Sequence, residues 1–138
     1  MRKLYGLIDH TADIGIKIKS RDLAGLFKKA ARAMFDIMAE KKAGGNNKEK
    51  LLIEEKADNL EELLVRWLNE LLSLSAVREL IFTRFEIHKL DKNNLRAEVI
   101  GSDMKNYKVA TEIKAATYHE LEIKKRGPWW QAQVIFDV

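Results

Sequence analysis

The chain of 138 residues contains no cysteine, a single proline and only seven glycines. Each shortage removes a class of protein. Without cysteine there is no disulfide framework, no thiolate metal site and no cysteine nucleophile. So little proline and glycine leaves small room for a disordered arm or a low-complexity linker. Neither a signal-peptide pattern nor an apolar run of about 18 residues occurs, so no export or membrane span is expected, and the cytoplasm is the expected compartment. Also missing are a glycine-rich phosphate loop followed by Lys-Ser/Thr, paired histidines at zinc-protein spacing, and a serine in a nucleophile elbow. The ingredients of self-contained catalysis are thin, and the chain reads as a non-enzyme.

What is present is an ordinary globular composition, 46% apolar and 33% charged, in a length that suits one domain over residues 1–138. The excess of 25 basic over 21 acidic residues, a net charge of +4, weakly favours acidic partners. The basic residues come in separated groups, Lys28-Lys29, Lys41-Lys42 and Lys124-Lys125-Arg126. Without a longer block or interleaved aromatics they read as solvated faces, not as a nucleic-acid module.

Periodicity supplies the elements. Lys3 to Ile8 and Ile14 to Lys19 suit two strands, the second with Ile14, Ile16 and Ile18 alternating with Gly15, Lys17 and Lys19. Ser20-Arg21-Asp22 offers cap chemistry for a helix whose apolar face runs from Leu23 to Met38. A loop is expected from about Glu40 to Lys50, around Gly44-Gly45-Asn46-Asn47. Leu51 to Glu55 reads as a short strand. Asp58-Asn59-Leu60-Glu61 resembles a capping box and opens a second helix, with Leu60, Leu63, Leu64, Trp67, Leu68, Leu71 and Leu72 on one face. Leu80 to Lys89 and Leu95 to Ile100 alternate as a hairpin about Asp91-Lys92-Asn93-Asn94, and Ser102 to Lys108 reads as irregular. Gly127-Pro128 makes a turn before a last strand from Trp129 to Val138. Six or more strands with two long amphipathic helices predict an α+β fold, a mixed or antiparallel sheet with the helices packed on it.

Polar chemistry gathers at three places. Asp9-His10-Thr11-Ala12-Asp13 precedes the second strand; it is a turn by its residue types, yet Asp13 shares parity with Lys17 and Lys19 and so faces outward at the strand's mouth. At the far end Asp137 lies beside the main-chain carboxylate of Val138. Oxygen donors of this kind suit calcium, magnesium or manganese better than zinc, although charged terminal residues are commonly just solvated. If the two strands meet, the acids converge, but sequence spacing alone does not bring them together. Between them lies Lys114, placed by alternation on a polar face where it is either solvated or able to hold phosphate or orient a carboxylate. His119 shares parity with Leu121 and Ile123 and is expected to be partly buried and hydrogen-bonded to backbone. His10 braces its turn by the same argument, and His88, with no polar neighbours of note along its strand, has no assigned role.

These stations together resemble the archease family: Asp9-His10-Thr11-Ala12-Asp13-Ile14-Gly15, Lys114-Ala115-Ala116-Thr117-Tyr118-His119, and the terminal Phe136-Asp137-Val138. Ala116 departs from the pattern, which favours a larger β-branched residue there. The resemblance implies an activator of the RtcB-type RNA ligase of tRNA splicing, not a ligase. Such a protein speeds attachment of GMP to the ligase's histidine and permits repeated turnover, with tRNA an indirect partner through the ligase. It further implies a divalent cation, calcium first with magnesium or manganese as alternatives, held by Asp13, Asp137 and Val138. Lys114 matches a functionally important lysine, and His10, Thr11 and His119 stand as supporting residues. Two rival classes stay open: a stand-alone metal-dependent enzyme on a phosphorylated small molecule, and an RNA-binding or chaperone-like module.

Overall fold

A computed structural model of the protein describes residues 5–9, 13–42 and 48–138. His10 and Thr11, and the glycine-asparagine stretch of the expected loop, lie outside the described residues.

Strand β1 (Gly6–Asp9) pairs with β2 (Asp13–Ser20), and helix α1 (Leu23–Met38) follows. Asp22 caps α1, its carboxylate accepting from the Gly25 N–H at 2.6 Å, which satisfies one of the orphan donors of the first turn. Gly25 is required there, since a Cβ would collide with Ser20 Oγ and approach Asp22 Oδ1 within 2.7 Å. The expected loop is shorter than its composition suggests: it is flanked by β3 (Ala39–Lys41) and by β4 (Lys48–Lys56). Helix α2 (Leu60–Arg78) is capped by Asn59, which accepts from Glu62 N–H at 2.8 Å. Strands β5 (Leu80–Leu90) and β6 (Asn94–Asp103) form the expected hairpin, its turn held by Asp91 Oδ1 accepting from the Asn93 and Asn94 N–H groups, each at 2.9 Å. The segment expected to be irregular forms the end of β6, a single 3-10 turn and β7 (Tyr107–Val109). Then come β8 (Ala115–Ala116), β9 (Glu122–Arg126) and β10 (Trp129–Asp137), with Gly127 at φ 57° supplying the left-handed turn between the last two.

Every strand pairing is antiparallel. The elements form the expected α+β fold with both helices packed on antiparallel sheets, and among the described residues the strands divide into three: β1-β2-β10-β8 with β9 also on β10, the pair β3-β7, and β4-β6-β5. The inner faces of the two larger sheets and both helices share one core. Ile16, Ile18, Val134 and Phe136 come from the first sheet; Ile53, Phe82, Ala97 and Val99 come from the second. The leucine stripe of α2 lies at their centre, and Trp67 adds a buried hydrogen bond from Nε1 to the Phe27 carbonyl at 3.0 Å. Burying an indole with its N–H satisfied avoids the cost of an orphan donor. The consequence for function is positional: β10 runs through the middle of its sheet, bonded to β2, β8 and β9.

Candidate functional site

The two acidic stations meet. Asp137 stands directly opposite Asp13 in the β2–β10 ladder, one step beyond Phe136 opposite Ile14. Opposed residues in an antiparallel pair present their side chains on one face with Cβ atoms about 4.5–5.5 Å apart. The register therefore aims two carboxylates into the same space at the end of the sheet. Phe136 is fully buried and Asp137 exposed, so the hydrophobic grip on one residue sets the outward direction of the next. Val138 follows, 38% exposed, and its main-chain oxygens lie next in the chain.

The third station is tied to the same place by backbone. Lys114 N–H donates to the Asp137 carbonyl at 2.8 Å, and Ala115 pairs with Asp137. Thr117 anchors the other side, its N–H and its hydroxyl both donating to the Ile135 carbonyl at 2.9 Å. A residue with no obvious signal in the sequence completes the clamp. Asn69 on α2 accepts from Ala116 N–H at 2.8 Å and donates Nδ2 to the Ala116 carbonyl at 3.1 Å. A side-chain amide that mimics a neighbouring strand in this way satisfies both backbone groups of Ala116. Ala116 is itself buried, and a bulkier side chain is not what holds this segment.

Of the other expected positions, Lys114 lies on the polar side that alternation gives it, and His119 does not lie where it was expected. Lys114 is exposed, just ahead of β8, with Ile113 beside it buried. His119 is not partly buried: its side chain is 64% accessible in a turn, with Nε2 3.8 Å from Glu120 and its N–H on Thr117 Oγ1 at 3.3 Å. The turn at Tyr118-His119-Glu120 interrupts the strand periodicity that suggested burial, and Glu120 takes a left-handed φ of 52°. Ile135 shares the parity of Asp137 yet is 1% exposed, opposite Gly15, which is also buried.

His88 does have polar neighbours, on the adjacent strand. Its Nε2 is 2.9 Å from Glu98, whose other oxygen meets Lys50 at 3.3 Å, and Glu86 stands opposite Glu98. One ligand atom from each of Glu86, His88 and Glu98 lies within 4.8 Å of the others. The signal was available in the alternation Glu86-x-His88 and the register imposed by the Asp91 turn. Lys50 and His88 hold the Glu98 carboxyl below the usual glutamate range, chiefly by direct hydrogen bonds. The cluster thus carries its own counter-charge.

Among the described residues no ion pair is formed by Asp13 or Asp137. Two like charges directly opposed on strands oppose pairing, and an ion with charge and oxygen affinity relieves that repulsion. Two carboxylates with adjacent main-chain oxygens fit a hard divalent cation; among the described residues no imidazole or thiolate of the kind zinc selects is grouped with them.

The chain resembles known proteins over its whole length. A model of the archease protein family matches residues 5–138. A protein archease of Methanosarcina barkeri is 38% identical, the match covering 99% of this chain and 97% of that protein. A protein archease of Sulfurisphaera tokodaii is 32% identical over 97% of this chain and 98% of its own length. The solution structure of Methanobacterium thermoautotrophicum protein 1598 superposes with a TM-score of 0.75 at 27% identity, covering 99% of this chain and 100% of that one. A crystal structure from Thermotoga maritima, described as an archease and possible chaperone, shares the fold at a TM-score of 0.67 and 24% identity, over 100% of this chain and 98% of that one.

Proposed function

The chain belongs to the archease family, and from that premise we propose that it activates an RtcB-type RNA ligase through a cation-binding acidic tip. The observation that carries the reading is the opposition of Asp13 and Asp137 at the end of one ladder, with Lys114 bonded to the same residue's backbone. Asp13 and Asp137 would hold the cation through their carboxylates, with Val138 contributing a main-chain oxygen. Calcium, magnesium or manganese fits this donor set.

Attachment of a nucleotide to a ligase histidine asks for positioning and charge neutralisation more than for new chemistry. A divalent cation supplies that neutralisation when bound. The protein's own part is to present the two carboxylates on a rigid support. Asp13 is fixed by β2, Asp137 by the centre of the sheet, and the Lys114 segment by Asn69 and Thr117. Lys114, exposed beside them, either meets a phosphate of the nucleotide or steadies a carboxylate of the partner.

Ligase guanylylation measured with and without this chain tests the reading. Stimulation by the wild-type chain, lost in Asp137→Ala with an unchanged melting temperature, is the expected result. Stimulation that survives Asp137→Ala overturns the mechanism. Turnover of a phosphorylated small molecule by the chain alone would instead establish an enzyme.

A further inference from the structure

The lysines that are dispersed along the sequence converge in space. On the outward face of the first sheet, successive rows across paired strands read Lys17 with Gln133 and Glu122, then Lys19 with Gln131 and Lys124. The next row holds Trp129 paired with Arg126, and Arg21 lies with its guanidinium carbon 4.8 Å from the Trp129 ring centre. Lys19 Nζ approaches the same ring at 4.9 Å. Lys125, of opposite parity, turns instead toward Trp130. The first two rows line a groove of about 400 Å³ floored by the strands themselves. Glu122 is the only acid in these three rows; it bonds Lys124 at 2.8 Å, and Lys124, Arg126 and Lys17 all hold its carboxyl below the usual range. The face therefore carries five cations against one anion, four in excess.

We propose that this face binds single-stranded RNA, seating its phosphate backbone along the Lys17 and Lys19 rows. A polyanion with regularly spaced charge is the partner complementary to a concave basic sheet face, and Trp129 gathers Lys19 and Arg21 over its ring at one end of that face. The glutamines between the cations supply donors and acceptors for sugar and base edges. The proposal goes beyond the tip reading and rests on different residues.

Fluorescence anisotropy of a 5′-labelled oligouridylate, with the full chain, no ligase, and EDTA present, tests it. Four net contacts predict a log K that falls against log salt with a slope of about −3. Lys17→Gln with Lys19→Gln is expected to flatten that slope by about 1.4 and weaken binding about tenfold or more near 0.1 M salt. Lys89→Gln with Lys92→Gln, at the end of β5 and in the turn that follows it, is expected to change neither slope nor affinity, and Asp137→Ala to leave RNA binding intact. Absence of binding, binding indifferent to salt, or a Lys17/Lys19 double variant that binds like wild type overturns the proposal. If the wild-type chain binds no RNA while that double variant loses ligase stimulation, the face serves an acidic protein surface and the RNA assignment fails. Failure of the tip reading appears elsewhere, as Asp137→Ala that still stimulates ligase.

Discussion

Two pairs of carboxylates stand directly opposite each other across antiparallel strands, Glu86 with Glu98 and Asp13 with Asp137. The first is surrounded by its own cations: Lys50 at 3.3 Å and, when protonated, His88 at 2.9 Å from Glu98, with Arg84 at 3.7 Å from Glu86. The second has no such partner among the described residues. Identical register with different surroundings separates a structural ion network from the pair we propose as the cation site. The count of acids does not make that distinction; the cations beside them do.

The sharpest way to break the contrast is to give the tip its own counter-charge. Asp137→Lys should abolish any rise in melting temperature on adding calcium. In the wild-type chain, cation at a hundredfold excess over Kd should add about 2.7 kcal/mol. Calcium titration followed by thermal melting reads both, and an equal rise in the variant would place the ion elsewhere. Glu98→Gln should leave the calcium response intact.

Removing the clamp tests whether the tip depends on rigidity. Asn69→Ala leaves the Ala116 N–H and carbonyl without their partner and should cost about 1–3 kcal/mol. Denaturant unfolding gives that number. The calcium response should shrink along with it, because the segment carrying Lys114 loses its anchor on α2.

The internally neutralised pair can be exposed instead. Because Glu98 is held below its ordinary range in the folded chain, its stabilising contribution is complete above the unfolded glutamate pKa. It is lost as pH falls through the depressed folded value. Lys50→Gln should raise the Glu98 carboxyl toward the ordinary range in an NMR titration and flatten the acid-side fall of the melting temperature. An unmoved Glu98 would assign the depression to His88 alone.

The smallest effect compares the two repulsions directly. In EDTA, Asp13→Asn should stabilise the chain by a few tenths of a kcal/mol, up to about 1, by removing an opposed like charge. Glu86→Gln should gain less, since Lys50 and His88 already screen Glu98. Equal gains in urea unfolding would mean that solvent equalises the two sites.

Much of this architecture can be read from local pattern. The α1 and α2 stripes, the Asp91 turn and the alternation in β2 and β10 each follow from spacing of apolar residues and from caps. Outward placement of Asp13 and Asp137 follows from parity with Lys17 and Gln133. Their opposition does not, because partners more than a hundred positions apart leave no mark on either segment. Convergence of Lys17, Lys19, Lys124 and Arg126 was hidden for the same reason: β2 and β9 share a face only because both pair with β10. Parity does not carry through a turn, so alternation misplaces His119. Asn69 gives no signal, because a polar residue on an amphipathic helix ordinarily meets water, not a strand's backbone.

The central position of β10 also sets a timetable. Along the ladder its residues pair with positions 110 to 124 places earlier in the chain. At about 5–20 residues per second of synthesis, β2 waits on the order of 5–25 seconds on the ribosome with one edge unmatched. Contacts of such separation also close slowly in the finished chain. Until that strand arrives, the acids at its tip have no common location, so an ion that binds both cannot act on an early intermediate. It would select the completed sheet.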